Sequence, residues 1–331
     1  MNKRRYVLRA VIPAAGIGKR LRPLTLTRPK VLLPVAGKPI LGHILDKLIG
    51  SGVDEIVLIV GYKADKVVDY VTTHYSVNVR FVEQKERKGL GHAIGMGLDD
   101  SDEPVLIILG DTILDLDFDK FVNSNQNIIG VMTVEDPSRF GIVQTDGRKV
   151  LRLVEKPREY IGNQAIAGIY LLQNQGMLKR AVDYIVEHEI TTKNEYQLTD
   201  ALQIMLDWQT AIVAEPIEAC YDCGTRDTLL NTNRILLGKM AQKEYQLTDS
   251  VLIPPVFLGD NVSVEKSVIG PNVSVAEGTR ISTSVVEDCI IDESSVVRNA
   301  VLKESLIGRD AMVKGVGTGI DIGDSTQKDL G

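Results

Sequence analysis

The sequence predicts an α/β domain with a doubly wound, mostly parallel sheet, followed by a short left-handed parallel β-helix. Two observations carry this prediction. In the first half of the chain, short apolar runs alternate with segments of helical apolar spacing. After residue 250, aliphatic residues recur every five or six positions and the helical period is absent. A chain of 331 residues also exceeds what one hydrophobic core usually serves, so we predict two domains, 1–240 and 241–331.

The elements of the first domain follow from its apolar spacing. Strands with nearly uninterrupted apolar side chains are typical of a parallel sheet that helices cover on both faces. We predict strands at 7–12, 55–60, 77–82 and 105–109, with helices at 39–49 and 64–71. In such folds ligands bind beyond the carboxyl ends of the strands, and the loop after the first strand lies at one such end.

The second domain is predicted from a hexapeptide repeat, in which each repeat forms one face of a three-faced coil. Ten steps along this repeat predict about three coils, and a β-meander without a repeat is the alternative. The segment 229–246 has a helical pattern and would join the domains. The repeat positions are Leu258, Val264, Ile269, Val275, Ile281, Val286, Ile291, Val297, Leu302, Ile307 and Val313.

Composition limits the classes of function. The formal net charge of -6 provides no broad basic field, so we expect no nucleic-acid partner. The longest apolar runs are too short to span a bilayer, and the N-terminus lacks the features of a signal peptide, so we expect a cytoplasmic protein and no membrane partner. Cys220 and Cys223 lack the further ligands of a zinc site and are interpreted as small apolar side chains at a strand edge.

The loop after the first strand, AAGIGKRLRPLT at 14–25, brings two glycines next to three cationic side chains. It lacks the third glycine of a dinucleotide-binding loop, because Leu21 stands there, and Arg20 replaces the hydroxyl residue of a P-loop. Backbone N–H groups with several cations suit a phosphate chain better than a single carboxylate. A solvated basic turn is the alternative.

Further motifs extend this pattern. The loop continues as TRPKVLLPVAGKP, and GLGHA at 89–93, LGD at 109–111, FGIV at 140–143 and VEKP at 154–157 follow in order. AIAGIYLL at 165–172, EYQLTDAL at 195–202 and YDCGT at 221–225 complete the set. Over residues 6–240 the chain resembles the sugar-1-phosphate nucleotidylyltransferases, and the repeat resembles the β-helix of their long forms. The resemblance implies the Rossmann-like nucleotide-diphospho-sugar transferase fold. Lys19 stands where the family usually has a small hydroxyl residue.

The resemblance implies an enzyme that binds a nucleoside triphosphate and a sugar 1-phosphate. An oxygen of the sugar phosphate attacks the α-phosphorus and pyrophosphate leaves, so catalysis consists of positioning and positive charge. By its match to the family motif, we expect Arg20 to contact the triphosphate and the departing pyrophosphate. Lys30, in the PK element, is expected at the triphosphate or its α-phosphate. Ala15, Gly16 and Gly18 are expected to bind the nucleotide.

The family's two metal-binding aspartates match Asp111 and Asp222, and the implied cofactor is Mg²⁺. Magnesium takes few carboxylates and keeps water and phosphate oxygens as its other ligands. Asp111 follows an apolar strand, and its alternative is to start a turn before Ile113. The alternative for Asp222 is to cap the helix after Gly224.

Base and sugar contacts are also implied by the resemblance. Gln84 and the Gly89 turn are expected to face a pyrimidine base, with a packing role for His92. Gln84 could instead be an exposed strand-end residue. The residues expected at the sugar phosphate are Gly141, Glu155, Lys156, Gly168 and Glu195. The alternative for Glu155 and Lys156 is a surface ion pair before a proline.

The motif GLGHA resembles the branches that use glucose 1-phosphate with UTP or dTTP, so these are the expected substrates. Mannose 1-phosphate, N-acetylglucosamine 1-phosphate and a non-catalytic regulatory or scaffold subunit stay open. A β-helix that also transfers acetyl groups is a further alternative, against which stands the absence of histidine from the repeat. Because a β-helix has flat faces and an open end, we expect a homo-oligomer.

Overall fold

The computed structural model describes residues 7–241, 243–245, 247 and 249–331. Contacts divide the chain into two compact units. The first unit contains the chain up to residue 16 and residues 44–220, and the second contains residues 17–43 and 221–331. The segment that follows the first glycine of the loop is thus grouped with the C-terminal residues. The boundary at 240/241 stays a prediction from sequence.

The helices of the described chain are α1 Ile40–Ile49, α2 Ala64–His74, α3 Leu90–Gly95, α4 Phe118–Val122, α5 Gln175–Glu187, α6 Leu198–Asp207 and α7 Arg226–Lys239. Single 3₁₀ turns lie at Lys19–Leu21, Leu24–Leu26, Lys30–Leu32 and Pro137–Arg139. The helix predicted to continue to 246 ends at Lys239, and Gln246 lies outside the described residues. None of the described helices is long and apolar enough to cross a membrane.

The strands up to residue 222 are β1 Arg9–Pro13, β2 Pro34–Val35, β3 Lys38–Pro39, β4 Glu55–Val60, β5 Val79–Glu83, β6 Val105–Ile108, β7 Thr112–Asp115, β8 Asn127–Thr133, β9 Gly141–Asp146, β10 Lys149–Glu155, β11 Gln164–Leu172, β12 Ile212–Pro216 and β13 Ala219–Asp222. The later strands are β14 Val251–Leu252, β15 Val256–Leu258, β16 Ser263–Glu265, β17 Val268–Ile269, β18 Val273–Val275, β19 Arg280–Ser282, β20 Val285–Glu287, β21 Ile290–Ile291, β22 Val296–Lys303, β23 Leu306–Ile307, β24 Met312–Thr318, β25 Asp321–Ile322 and β26 Gln327–Asp329.

A nine-stranded sheet organises the first unit, in the order β5-β4-β1-β6-β11-β8-β12-β10-β9. The strands β5, β4, β1 and β6 are parallel, as the apolar runs predicted. Beyond β6 the sheet is mixed, because β11 pairs antiparallel with β6, β8 and β9. The central strands are buried along almost their whole length, and α3, α5 and α6 pack against the sheet through residues such as Ile94, Leu178 and Leu202.

Parallel strands stack into a β-helix in the second unit. Each rung contains three short strands, and the five rungs in the range 251–329 begin at Val251, Val268, Val285, Val301 and Val316. The sequence predicted about three coils. That number is too low because the strands before Leu258 and after Val313 belong to the same stack. The repeat positions fill the interior, where Ile269, Ile281 and Val297 are fully buried.

Candidate active site

Gly18 forms the turn that begins the basic segment of the second unit. Its φ of 68° lies in the left-handed region that favours glycine. A Cβ at this position would lie 2.9 Å from Lys30 Cβ and 3.0 Å from Thr25 Cγ2, so no side chain fits. The Thr25 hydroxyl donates a 2.9 Å hydrogen bond to the Gly18 carbonyl, and the Lys19 and Arg20 side chains are exposed. The turn therefore brings the buried Lys30 stem against the glycine backbone, next to two exposed cations.

Arg20 and Asp222, both predicted from sequence, meet at Gly224 in the second unit. A Cβ at Gly224 would lie 2.7 Å from Asp222 Oδ1 and 3.3 Å from Arg20 Nη2. The Gly224 amide donates a 2.8 Å hydrogen bond to Asp222 Oδ1, which fixes the carboxylate. The helix cap alternative for Asp222 is wrong, because Thr225 caps α7 in a capping box with Thr228.

In the first unit, Ala15 and Gly16 follow β1 and Asp111 follows β6. These strands are parallel neighbours, so their carboxyl ends lie at one edge of the sheet. Gly16 is exposed, and a Cβ there would meet nothing within 4 Å. Thr112 Oγ1 donates a long 3.4 Å hydrogen bond to Asp111 Oδ1. The structure therefore leaves room beside the Gly16 backbone at this edge.

Gln84 is buried after β5 and contacts the turn predicted with it. Its Nε2 donates to the Gly89 carbonyl at 3.4 Å and to His92 Nδ1 at 3.2 Å. Burial, together with the charge of Lys88, lowers the pKa of His92, which favours the neutral imidazole, whose Nδ1 can accept. Both hydrogens of the Gln84 amide have acceptors here. The side-chain oxygen Oε1 is therefore the atom that could bind a nucleobase. The exposed strand-end alternative for Gln84 is wrong.

Gly141, Glu155 and Lys156 form one cluster in the first unit. The Lys156 ammonium lies 2.8 Å from Glu155 Oε1, and a Cβ at Gly141 would lie 3.1 Å from Glu155 Oε2. The Glu155 side chain is only 10% exposed, so the pair is not a surface ion pair. Lys156 has a φ of 44°, in the left-handed region that non-glycine residues seldom adopt.

Sequence reasoning missed two residues of this cluster. Thr199 donates a 2.8 Å hydrogen bond to Glu155 Oε2 from the first turn of α6. Its neighbour Asp200 has a buried oxygen, Oδ2, without a hydrogen-bond partner among the described residues. Burial raises the pKa of Asp200, and the charge of Glu155 adds to this. The signal was present, because both residues belong to the EYQLTDAL motif.

Glu195 and Gly168 lie apart from the Glu155 carboxylate contacts. Glu195 is exposed, and its Oε2 accepts a 3.1 Å hydrogen bond from Gln197 Nε2. A Cβ placed on Gly89 would lie 3.0 Å from Glu195 Cβ, so Glu195 lies beside the turn that is predicted to face the base. Gly168, with a φ of 82°, lies in an irregular part of β11, where a Cβ would meet the Leu109 side chain at 2.9 Å. Packing against Leu109 therefore accounts for the glycine.

Comparison with protein families identifies the chain. The model of the family described as "Nucleotidyl transferase" matches residues 9–238. The chain belongs to the nucleotidyl transferase family. This confirms the resemblance that the motifs of the loop and the later strands predicted. The match includes every candidate site residue described above and ends before the β-helix.

The individual proteins to which the chain is similar carry different names. The chain is 36% identical over 232 residues to "Bifunctional protein GlmU" of Methanocaldococcus jannaschii, with 70% of this chain and 55% of the relative covered. It is 30% identical over 271 residues to a Sulfolobus acidocaldarius protein named "Putative mannose-1-phosphate guanyltransferase", with 77% and 72% covered. The chain thus spans about half the length of the first of these relatives.

A solved structure supports the predicted nucleotide-diphospho-sugar transferase fold. The structure of a UDP-glucose pyrophosphorylase complexed with UDP-glucose aligns with a TM-score of 0.62 and 24% identity. The alignment covers 71% of this chain and all of that chain. It confirms the predicted fold class.

The chemistry of Asp111 and Asp222 fits a divalent cation. No group of three or more His, Cys, Asp or Glu side chains within the described ranges could hold a metal ion. Magnesium needs fewer, because it is usually bound by one or two carboxylates together with substrate phosphates and water. Asp111 in the first unit and Asp222 in the second, the latter held by the Gly224 amide, are each the kind of ligand that magnesium takes.

Proposed function

We propose that this protein transfers a nucleotidyl group from a nucleoside triphosphate to a sugar 1-phosphate. An oxygen of the sugar phosphate forms the new bond to the α-phosphorus, the bond from that phosphorus to the β-phosphate bridging oxygen breaks, and pyrophosphate leaves. No side chain has to act as a nucleophile, because the attacking oxygen is already anionic. The protein has to hold two anions together and neutralise the leaving group.

The meeting of Arg20 and Asp222 at Gly224 is the observation that carries this proposal. A guanidinium beside a carboxylate suits a triphosphate and its bound cation, since the first binds phosphate oxygens and the second binds the metal. We assign Arg20 and Lys30 to the triphosphate, with Ala15, Gly16 and Gly18 giving backbone access. Asp111 and Asp222 would hold Mg²⁺, which supplies charge neutralisation at the phosphates when bound.

The cluster at Glu155 supports the assignment of the sugar phosphate. Glu155, held between Lys156 and Thr199, can accept a hydrogen bond from a sugar hydroxyl, and the missing side chain of Gly141 lets its backbone approach this carboxylate closely. We assign the phosphate of the same substrate to Lys156. Gly168 and Glu195 belong to the proposed sugar-phosphate set by their match to the family motifs alone, and Glu195 adjoins the Gly89 turn.

The orientation of Gln84 supports a uracil or thymine base. With Nε2 committed to Gly89 and His92, the side-chain oxygen would accept from the N3–H of these bases. Cytosine has an acceptor at N3 in place of this donor, so its N3 would face the side-chain oxygen acceptor to acceptor. We therefore propose UTP or dTTP, with glucose 1-phosphate as the sugar substrate that the GLGHA motif favours. Mannose 1-phosphate is the second candidate, because a relative that the chain matches over 77% of its length is named for it.

Pyrophosphate release with Mg²⁺ tests the proposal. The assay compares UTP, dTTP, CTP, ATP and GTP, each with glucose, mannose and N-acetylglucosamine 1-phosphates. We expect release with UTP or dTTP and glucose 1-phosphate. Release with GTP and mannose 1-phosphate would replace these substrates and keep the reaction. If the folded protein released no pyrophosphate with any of these substrate pairs, the result would contradict the activity and favour a regulatory subunit.

We also propose that the protein is a homo-oligomer that assembles through one face of the β-helix. Five valines, 251, 268, 285, 301 and 316, stack on this face in register. Val251, Val285, Val301 and Val316 are 56%, 44%, 46% and 65% exposed. The proposed partner is a second copy of the chain. A two-fold axis would place the same column of valines, running in the opposite direction, against this one, so apolar side chains would meet apolar side chains.

A further inference from the structure

The segment 17–43, which carries Arg20 and Lys30, packs against the β-helix within the second unit. A Cβ at Gly323 would lie 3.2 Å from Pro23 Cβ, and one at Gly37 would lie 2.4 Å from the Phe257 ring. The Ala36 amide donates a 2.8 Å hydrogen bond to Asn233 Oδ1, which also accepts from Ser274 Oγ at 2.6 Å. The segment is therefore held at both ends, before Arg28 and after Lys30.

Between these ends, Arg28 forms a buried ionic contact with the β-helix. Its Nη1 lies 2.7 Å from Asp292 Oδ2, and its Nε lies 3.7 Å from Asp324 Oδ2. The Thr27 hydroxyl donates a further hydrogen bond to Asp324 Oδ2. The three charged side chains are only 10%, 5% and 11% exposed. Buried charges add little net stability, but their directional contacts hold one geometry.

Arg28 is two residues from Lys30, so an anchored Arg28 limits where the backbone of Lys30 can lie. Leu33 donates a 3.0 Å backbone hydrogen bond to the Lys30 carbonyl, which closes a tight turn directly after Arg28 and Pro29. Lys30 Cβ in turn packs against Gly18, next to Lys19 and Arg20. Direct contacts thus run from the β-helix through Arg28 to the proposed triphosphate contacts.

A second arginine makes the same kind of link beside Asp222. Arg226 begins α7, four residues after Asp222, and its Nε donates a 3.1 Å hydrogen bond to Asp321 Oδ1. Its Nη2 also donates to the Glu304 carbonyl on the β-helix. Asp321 and Asp324 belong to the same late rung. Within the second unit, both segments that carry proposed triphosphate or metal contacts therefore present an arginine to carboxylates of the β-helix.

We propose that Asp292, Asp321 and Asp324 are positioning residues for the triphosphate half of the active site, acting through Arg28 and Arg226. The β-helix then has a role in substrate binding within one chain, in addition to any role in assembly. This inference rests on the proposed function for the identity of the ligand. It predicts that the β-helix carboxylates affect the triphosphate and leave the sugar phosphate unaffected.

The test uses the full-length Asp292→Asn and Asp324→Asn variants, with Glu287→Gln as the matched control. Glu287 pairs with Lys303 at 2.9 Å on the outer surface of the β-helix. We expect both aspartate variants to raise the KM for the nucleoside triphosphate about 10-fold or more, because small displacements of positioning groups are costly. The KM for the sugar 1-phosphate should change less than about twofold, and the control should match wild type.

A second readout does not depend on activity. Hydrogen exchange of residues 17–33, measured by mass spectrometry on the substrate-free protein, should be faster in Asp292→Asn and unchanged in Glu287→Gln. If wild type releases no pyrophosphate, the proposed function fails and exchange alone decides the inference. If Asp292→Asn does not fold, Arg28→Lys, which keeps the charge and loses the planar geometry, replaces it in both measurements. The proposal would be overturned if a folded variant left both the triphosphate KM and the exchange of residues 17–33 unchanged. It would also be overturned if the variants lost kcat to the same extent with either substrate varied and neither KM changed.

Discussion

Thr199 donates a 2.8 Å hydrogen bond to Glu155 Oε2, while Lys156 lies 2.8 Å from the other oxygen of the same carboxylate. Both oxygens are thus oriented by neighbours in the first unit. Thr199→Val keeps the shape of the side chain and removes the donor. We expect the KM for the sugar 1-phosphate to rise about 10-fold, since hydrogen bonds to charged groups contribute ~1.5–3 kcal/mol. Steady-state kinetics with both substrates measure this, and Thr72→Val, at an exposed threonine of α2, is the control.

A rise in both KM values in Thr199→Val would show that the hydroxyl supports the fold of α6 instead of the Glu155 carboxylate. An unchanged sugar-phosphate KM would remove Thr199 from the site.

Asp111→Asn and Asp222→Asn should each lower Mg²⁺-dependent turnover by about 100-fold or more, because a neutral amide is a poor magnesium ligand. In Asp222→Asn the new side-chain amide oxygen can still accept from the Gly224 N–H, so the turn before α7 should stay intact. Pyrophosphate release over a magnesium titration, with circular dichroism of each variant, measures the effect. Asp119→Asn on the exposed side of α4 is the control. Activity near that of wild type in either variant would contradict the assignment of that aspartate as a magnesium ligand.

Gln84→Glu should raise the pKa of His92 above its wild-type value. In wild type, burial and Lys88 lower this pKa, and a carboxylate beside Nδ1 would favour the imidazolium. NMR titration of the His92 ring protons follows the change without substrate. In the same variant we expect weaker UTP and dTTP binding, since the amide no longer donates to Gly89. A His92 pKa that does not move would contradict the contact between these side chains.

Asp292 should make the free energy of unfolding depend on pH. Burial raises its pKa from 3.8 to about 6, although Arg28 opposes the shift. Glu293 adds to the rise and Arg309 opposes it. Between pH 4 and 6 the folded protein therefore binds more protons at this group than the unfolded chain does. The stability that this carboxyl contributes is complete below about pH 4 and is lost as the pH rises through about 6.

Thermal unfolding of wild type and Asp292→Asn at several pH values isolates this effect, because other groups titrate equally in both. The Tm of the variant relative to wild type should increase from pH 4 to pH 7. A difference that is constant with pH would mean that Asp292 has an ordinary pKa.

Val285→Lys together with Val301→Lys should yield smaller particles by light scattering, since two adjacent rungs of the exposed column would become charged. Arg298→Ala, at an exposed position of β22, is the control and should leave the assembly unchanged. The same particle mass in the double variant and wild type would exclude this face as the interface.

The sequence alone determined the family, the parallel half of the sheet and the existence of the β-helix. These follow from local patterns: apolar runs such as 55–60 form strands with the predicted bounds, and a regular repeat stacks on itself. The contiguous VEKP motif also predicted a role at the sugar phosphate for Glu155 and Lys156, which stays a prediction.

Only the tertiary structure decided which neighbours hold those side chains. Thr199 reaches Glu155 across 44 positions of sequence, Arg28 reaches Asp292 across more than 200, and no local period records such pairs. The structure also showed that the segment 17–43 packs with the β-helix. From sequence, this segment was predicted to belong to the first domain, 1–240. Backbone patterns determine elements, whereas long-range packing of individual side chains determines the geometry of a site.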